Sequence, residues 1–297
     1  MKILVTGGRG FIGRNVVEHL AQTHQVLAPT HLDLDLTDDR AVDAWFRAHA
    51  VDAVVHSAVR PGHRAAIDPS RQLWVNLRMF FNIARNADRY ERLVFLSSGA
   101  AYDTREALVR VAEQDLGISV PEDEHGLSKY VVARYLDLLG PHAQPRAVEL
   151  RLFGVFGPFE DYRIRFISNA ICRAIFELPI TLRQDRRFSY LFVDDLMPVV
   201  DWALASEPEY VAYNVAPDWT DSLHGLGLAI SRRSGRQVPV TVAIEGRDKE
   251  YTADNARIRN ELPRLAFTPT EVAVDHLFRW YEDRRSEIDP ASLRMDG

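Results

Sequence analysis

Cysteine is almost absent from this sequence. Cys172 is the single one, which excludes an internal disulfide and a cysteine-ligated metal cluster. Lysine is nearly as scarce: of 36 basic residues only Lys2, Lys129 and Lys249 are lysine, and the rest are arginine. There is no basic block and the formal net charge is −6, so no nucleic-acid partner is expected. No apolar run approaches the ~20 residues that span a bilayer, so no membrane association is expected either. The first residues enter a strand pattern rather than that of a signal peptide, which makes a cytoplasmic location the expectation. HExxH and G-x-S-x-G patterns are missing, and His56, His63 and His125 lack metal-ligand spacing, so neither a metal site nor a hydrolase nucleophile is expected. What remains, 297 residues at 46% hydrophobic and 26% charged, suits one large domain or two closely packed ones.

The informative stretch is Met1 to Gly13, MKILVTGGRGFIG. Ile3, Leu4 and Val5 suit a buried parallel strand. Gly7, Gly10 and Gly13 follow at G-x-x-G-x-x-G spacing, and Phe11, Ile12, Val16, Val17 and Leu20 begin an amphipathic helix. A strand, a glycine loop and a helix in that order form a dinucleotide cradle. Gly7 allows a sharp turn, Gly10 lets the backbone approach a pyrophosphate, and Gly13 lets helix and strand pack closely. The phosphates then meet the positive helix end. After a second strand at Gln25–Ala28, the positions where an NAD-binding fold places a carboxylate are Pro29, Thr30 and His31. Arg9 and Arg14 are at hand for a 2′-phosphate instead, which leans towards NADP, with NAD possible.

Strand and helix patterns then alternate. His31–Asp38 (HLDLDLTD) alternates as a short strand would, and Thr37 or Asp38 can cap a helix at 40–49. Strands follow at 51–56, 92–97 and 148–153, with helices at 70–86 and from about 122–124. The segment between Ser98 and Pro121 reads as a loop. This pattern predicts an α/β fold, a doubly wound parallel (Rossmann) sheet over 1–157 with its ligand at the carboxyl ends of the strands. Residues 158–297 read as a smaller α/β substrate lobe interleaved with it. Its helices are expected at 164–177, 194–205, 223–234, 255–262 and 270–285, and its strands at 180–182, 188–193, 210–215 and 239–243.

With these motifs in hand, the chain resembles the extended short-chain dehydrogenase/reductases, in the nucleotide-sugar epimerase, dehydratase and reductase group. TGGRGFIG at 6–13, DLTD at 35–38, HSA at 56–58, Asn76, FLSS at 95–98, HGLSKY at 125–130, LRLFGVFGP at 150–158 and LFVDDL at 191–196 carry the resemblance. The short second strand followed by LDLTD is similar to the 4-keto-sugar reductases and epimerase-reductases, of the GDP-fucose synthase and dTDP-4-dehydrorhamnose reductase kind. The resemblance implies an NAD(P)-dependent oxidoreductase or epimerase acting on a nucleotide-linked sugar, in surface-glycan or deoxysugar biosynthesis, and a homodimer formed through helices 70–86 and 124–138. It also implies that Gly7, Arg9, Gly10, Phe11, Ile12, Gly13, Asp35, Leu36, Ser57, Ala58 and Asn76 contact the cofactor. Lys129 would bond the nicotinamide ribose, and Ser98, Gly99 and Arg187 would meet the substrate. Ser98, His125 and Lys129 would be the catalytic set.

The chain departs from that family at its centre. The family's acid/base is a tyrosine four residues before the lysine, and here that position is His125. Spacing i, i+4 still puts His125 and Lys129 on one helix face. Tyr130 projects about 100° beyond Lys129, so it does not replace the tyrosine. Imidazole, with an ordinary pKa near 6.5, exchanges protons at neutral pH, and Lys129 would push it towards neutrality. Three readings stay open at this level. His125 is the acid/base; or it orients substrate while another group moves the proton; or redox chemistry is lost and the protein is an NAD(P)- or sugar-nucleotide-binding module. Two lesser departures are Gly154 where the family often has Asn, and Phe188 where it often has a phosphate-binding Arg, with Arg186 and Arg187 just before it.

Overall fold

A computed structural model describes residues 1–62 and 68–293; His63 and most of the Arg60–Asp68 loop lie outside the described residues. In chain order the elements are β1 (Lys2–Thr6), α1 (Phe11–Leu20), β2 (Gln25–Leu27), α2 (Asp39–Ala48), β3 (Ala53–His56), α3 (Gln72–Ala84), β4 (Arg92–Ser98), β5 (Leu108–Val111), α4 (Glu124–Leu139), β6 (Arg146–Leu152) and β7 (Gly154–Phe156). There follow α5 (Phe166–Ile175), β8 (Ile180–Asp185), β9 (Arg187–Phe188), β10 (Tyr190–Phe192), α6 (Val193–Ala205), β11 (Ala212–Val215) and β12 (Asp221–Ser222). The chain closes with α7 (Leu223–Arg233), β13 (Val240–Arg247), β14 (Tyr251–Ala253), α8 (Ala256–Glu261) and α9 (Thr270–Asp283).

Six strands make one parallel sheet in the order β2-β1-β3-β4-β6-β11. Its strands are apolar on both faces because helices cover both. Val16 and Leu20 of α1 pack with Leu196 and Val200 of α6 on one side; Phe80 and Ile83 of α3 pack with Val132 and Leu136 of α4 on the other. Chain order reverses between β1 and β3, and a crevice opens at their carboxyl ends, as it does where an open α/β sheet switches direction. Thr6 and His56 pair there, and the Thr6 hydroxyl lies 2.7 Å from His56 Nδ1.

The later strands form smaller sheets over that end: β7 with β10, β8 with β13, and the mixed set β12-β9-β14-β5. A second core of Ile171, Ile175, Leu277, Phe278 and Tyr281 fills α5, α9 and their neighbours.

Two readings of the sequence change. Residues 31–38 are turns, not a strand. The Asp33 carboxylate accepts from Thr30 N–H at 2.9 Å and Asp35 from Thr37 N–H at 2.8 Å, and such side-chain bonds compete with a sheet ladder. Residues 108–111, read as loop, are β5, which pairs with β14 from far down the chain. Asp38 is the cap of α2, accepting from Arg40 and Ala41 N–H.

Candidate active site

The glycine loop is built as its spacing demands. Gly7 has φ +68°, and an added Cβ would lie 2.7 Å from Ala58 N. A Cβ on Gly13 would lie 2.1 Å from the Gly7 carbonyl oxygen, so α1 rests on the end of β1 only because that atom is missing. α1 begins at Gly10 with no side-chain cap, which leaves first-turn N–H groups free for an anion. Beside the loop is a cavity of about 500 Å³, lined by Gly7 to Gly10, Thr30, Asp35, Leu36, Ala58 and Val75 among others. Arg9 and the Pro29–His31 turn both face it, and the Asp33 carboxylate closes that turn by accepting from Thr30 N–H. The cradle, the free helix end and the flat apolar walls fit the adenosine diphosphate half of a dinucleotide.

A second cavity of about 430 Å³ lies at the ends of β4 and β6. Phe11, Ile12, Ser57, Ser98, His125 and Lys129 line it, so the structure brings the expected catalytic set together. Ser98 ends β4, and its Oγ accepts from Ala100 N–H at 3.1 Å. Asp123 caps α4 by accepting from Gly126 N–H at 2.8 Å, a bond type worth ~1 kcal/mol. That cap fixes the helix start and so puts His125 in the first turn, one turn before Lys129. Lys129 is buried; its Nζ donates to the Leu96 carbonyl at 3.2 Å and lies 4.5 Å from the centre of the Phe95 ring. Burial lowers its pKa to about 8, against the opposing pull of Glu149. Glu149 is itself fully buried and paired with Arg151 at 2.8 Å. His125 is pushed down to about 4, first by burial and then by the Lys129 charge. Its imidazole is therefore largely neutral at pH 7.

Four expected contacts are placed elsewhere. Arg187 is exposed on β9 and does not line either cavity; Arg186, one residue earlier, does. Gly99 is buried behind Ser98, where an added Cβ would strike Phe153 and the Tyr251 hydroxyl, both at 2.7 Å. Asn76 sits behind the wall, its Oδ1 accepting from Arg60 N–H at 2.7 Å. Gly13 shapes the loop without facing the cavity. Sequence reasoning missed Tyr251, Glu160 and Arg165, which also line the second cavity. Glu160 is raised to about 8, mainly by burial, which leaves it largely uncharged at pH 7 and the cavity positive through Lys129, Arg165 and Arg186. A positive cavity suits a diphosphate.

The profile of the NAD-dependent epimerase/dehydratase family matches residues 3–216. The chain belongs to that family. Within this extended short-chain dehydrogenase/reductase family, it is similar to a GDP-L-fucose synthase of Azorhizobium caulinodans, 32% identical over 183 residues. That match covers 57% of this chain and 58% of the relative. It is also similar to a UDP-glucose 4-epimerase of Bacillus subtilis, 28% identical over 331 aligned positions that cover 94% of this chain and 96% of the relative. In fold it matches a GDP-L-fucose synthetase from Naegleria fowleri solved with NADP, with TM-score 0.82 and 17% identity, covering 96% of this chain and 93% of that one. Among the described residues no helix is long and apolar enough to cross a membrane.

Proposed function

We propose that this protein is an NAD(P)-dependent oxidoreductase or epimerase acting on a nucleotide-linked 4-keto sugar, and that it works as a cytoplasmic homodimer in glycan or deoxysugar biosynthesis. The observation that carries this reading is the junction of the two cavities. The glycine loop serves the first, and its continuation, Phe11 and Ile12, lines the second beside Ser98, His125 and Lys129. Bound along that path, the dinucleotide supplies or accepts a hydride at the sugar carbon. Gly7, Gly10 and the α1 N-terminus hold its pyrophosphate, and Asp35 and Leu36 lie along the adenosine. Arg9, which lines the adenosine cavity, favours NADP over NAD. Lys129 bonds the nicotinamide ribose and keeps the cavity positive. Ser98 donates to the sugar oxygen, and neutral His125 hydrogen-bonds and orients the sugar. Arg165 and Arg186 receive the diphosphate. The GDP-L-fucose synthase and UDP-glucose 4-epimerase relatives support this substrate class.

The test mixes purified protein with NADPH or NADH and a panel of GDP-, dTDP- and UDP-linked 4-keto-6-deoxyhexoses, following loss of reduced nicotinamide. Oxidation with one donor establishes a reductase and names its nucleotide. Isomerised sugar without net oxidation establishes an epimerase. Neither change in the presence of bound cofactor refutes the enzyme reading.

A further inference from the structure

The position where the family keeps its tyrosine holds His125, and Tyr130 does not compensate: its hydroxyl lies near Gly117, where an added Cβ would be 3.4 Å from it. Yet a phenol does enter the cavity, from the other side. Tyr251 opens β14, whose pairing with β5 and β9 fixes its backbone. Its carbonyl accepts from Ser189 N–H at 3.2 Å. Phe153 and Phe188 hold the ring, with centroids 5.0 and 5.6 Å away. Tyr251 and Ser98 both line the second cavity. The Tyr251 hydroxyl is the group that an added Cβ on Gly99 would meet at 2.7 Å, so the glycine after Ser98 is what gives the phenol room.

We propose that Tyr251 is the catalytic acid of this site, giving its proton to the sugar oxygen that Ser98 hydrogen-bonds. The phenol is thus delivered from the C-terminal lobe rather than from α4. This rests on the reading of the protein as a hydride-transfer enzyme. In the reducing direction the carbonyl carbon gains a hydrogen with two electrons from the reduced nicotinamide, which is oxidised. The C–O π pair moves to oxygen, the Tyr251 O–H bond breaks, and an O–H bond to the sugar forms. The phenolate regains its proton from solvent.

The rival donor is His125, which burial and the Lys129 charge hold largely neutral, without the extra proton a donor needs. Tyr251 carries its proton throughout. Burial pushes it up to about 12, while Ser98, Arg186 and Arg165 pull it down and Asp123 opposes them. It is still a stronger acid than water, at about 15.7. The guanidinium of Arg186, 5.6 Å from the centre of the Tyr251 ring, is the nearby cation that a transient phenolate needs.

The experiment compares the wild type, Tyr251→Phe and His125→Phe as full-length proteins. Activity is read with NADPH and the GDP-, dTDP- and UDP-linked 4-keto-6-deoxyhexoses. Fold and cofactor binding are read by thermal melting and NADPH fluorescence. Tyrosine labelled with ¹³C at Cζ reports the protonation state of Tyr251, assigned by the signal lost in Tyr251→Phe. The proposal expects an intact phenol at pH 8 in the NADP-bound protein. It expects Tyr251→Phe to lower kcat about 100-fold or more, with KM and NADPH binding within twofold, and His125→Phe to lower kcat less than tenfold. A Tyr251→Phe variant that turns over within threefold of the wild type overturns the proposal alone. So does a phenolate signal already present at pH 8. A wild type that turns over none of the three donors, by reduction or isomerisation, overturns the hydride-transfer reading and the proposal with it.

Discussion

Two glycines in one loop separate fold stability from cofactor binding. At Gly13 an added methyl would lie 2.1 Å from the Gly7 carbonyl oxygen and 2.8 Å from its carbon. Both are backbone atoms at the end of β1, so relief requires α1 to move off the sheet by about an ångström. Overpacking of this kind costs ~1–3 kcal/mol, and the backbone origin of the clash puts it at the upper end. Alanine regains up to ~1 kcal/mol of helix propensity. The net loss is about 2 kcal/mol, which for a chain of this size lowers Tm by roughly 3 °C. At Gly10 the nearest atom to an added Cβ is the Gly7 carbonyl oxygen at 3.3 Å and φ is −77°, so alanine asks for a shift of only a few tenths of an ångström. The cost there is the weaker N-cap, ~0.5–1 kcal/mol. The new methyl instead stands where the pyrophosphate approaches the backbone, and NADPH binding should weaken at least ~10-fold, or ~1.4 kcal/mol. Thermal melts and NADPH fluorescence titrations on both variants check the pair. A Gly10→Ala protein that binds NADPH as the wild type does would refute the cradle. A Gly13→Ala protein with an unchanged Tm would refute the packing argument.

Three further outcomes follow from the same geometry. Folded Lys129 releases its proton near pH 8 and the unfolded side chain near 10.5. The unfolded chain therefore binds more protons between those values, and this residue makes the protein more stable as pH rises through them. Lys129→Met should accordingly raise Tm at pH 7, with a gain that shrinks towards pH 10 in paired melts, while turnover falls at least tenfold. Arg186→Ala should raise KM for the nucleotide sugar at least tenfold in steady-state assays, whereas Arg187→Ala, altering an exposed side chain outside the cavities, should leave KM within twofold. Trp74 on α3 is 54% exposed and Leu138 on α4 is 82% exposed. If the proposed dimer forms through these helices, light scattering should show the wild type as a dimer and the double variant Trp74→Glu/Leu138→Glu as a monomer.

The parts legible in the sequence are those whose signals are local. The glycine loop, the buried strands and the i, i+4 pair of His125 and Lys129 each declare themselves within a dozen residues. Leu32, Leu34 and Leu36 mislead for a local reason as well. They alternate like a strand, but Leu32 is 94% exposed and Leu34 and Leu36 are buried, because aspartate side chains close turns between them. β5 has no legible pattern: Val109 and Arg110 are exposed and Arg110 has φ +46°, so the strand exists only through β14. Tyr251 was hidden for the same reason. Nothing near Glu250-Tyr251-Thr252 points to chemistry, and Tyr251 joins Ser98 in the second cavity only once that non-local pairing forms. The choice between Arg186 and Arg187 depends on one residue of register, and in extended chain neighbouring side chains face opposite ways.

The central claim is that hydride passes between the cofactor and a sugar carbon in the second cavity. The most direct measurement incubates the protein with NADPH deuterated at nicotinamide C4, one face at a time, and the GDP-, dTDP- and UDP-linked 4-keto-6-deoxyhexoses, then analyses the sugar by mass spectrometry. The account predicts deuterium on the sugar ring from one face of the cofactor, with one nucleotide preferred. Bound NADPH that leaves every sugar unlabelled, unreduced and unisomerised would contradict it.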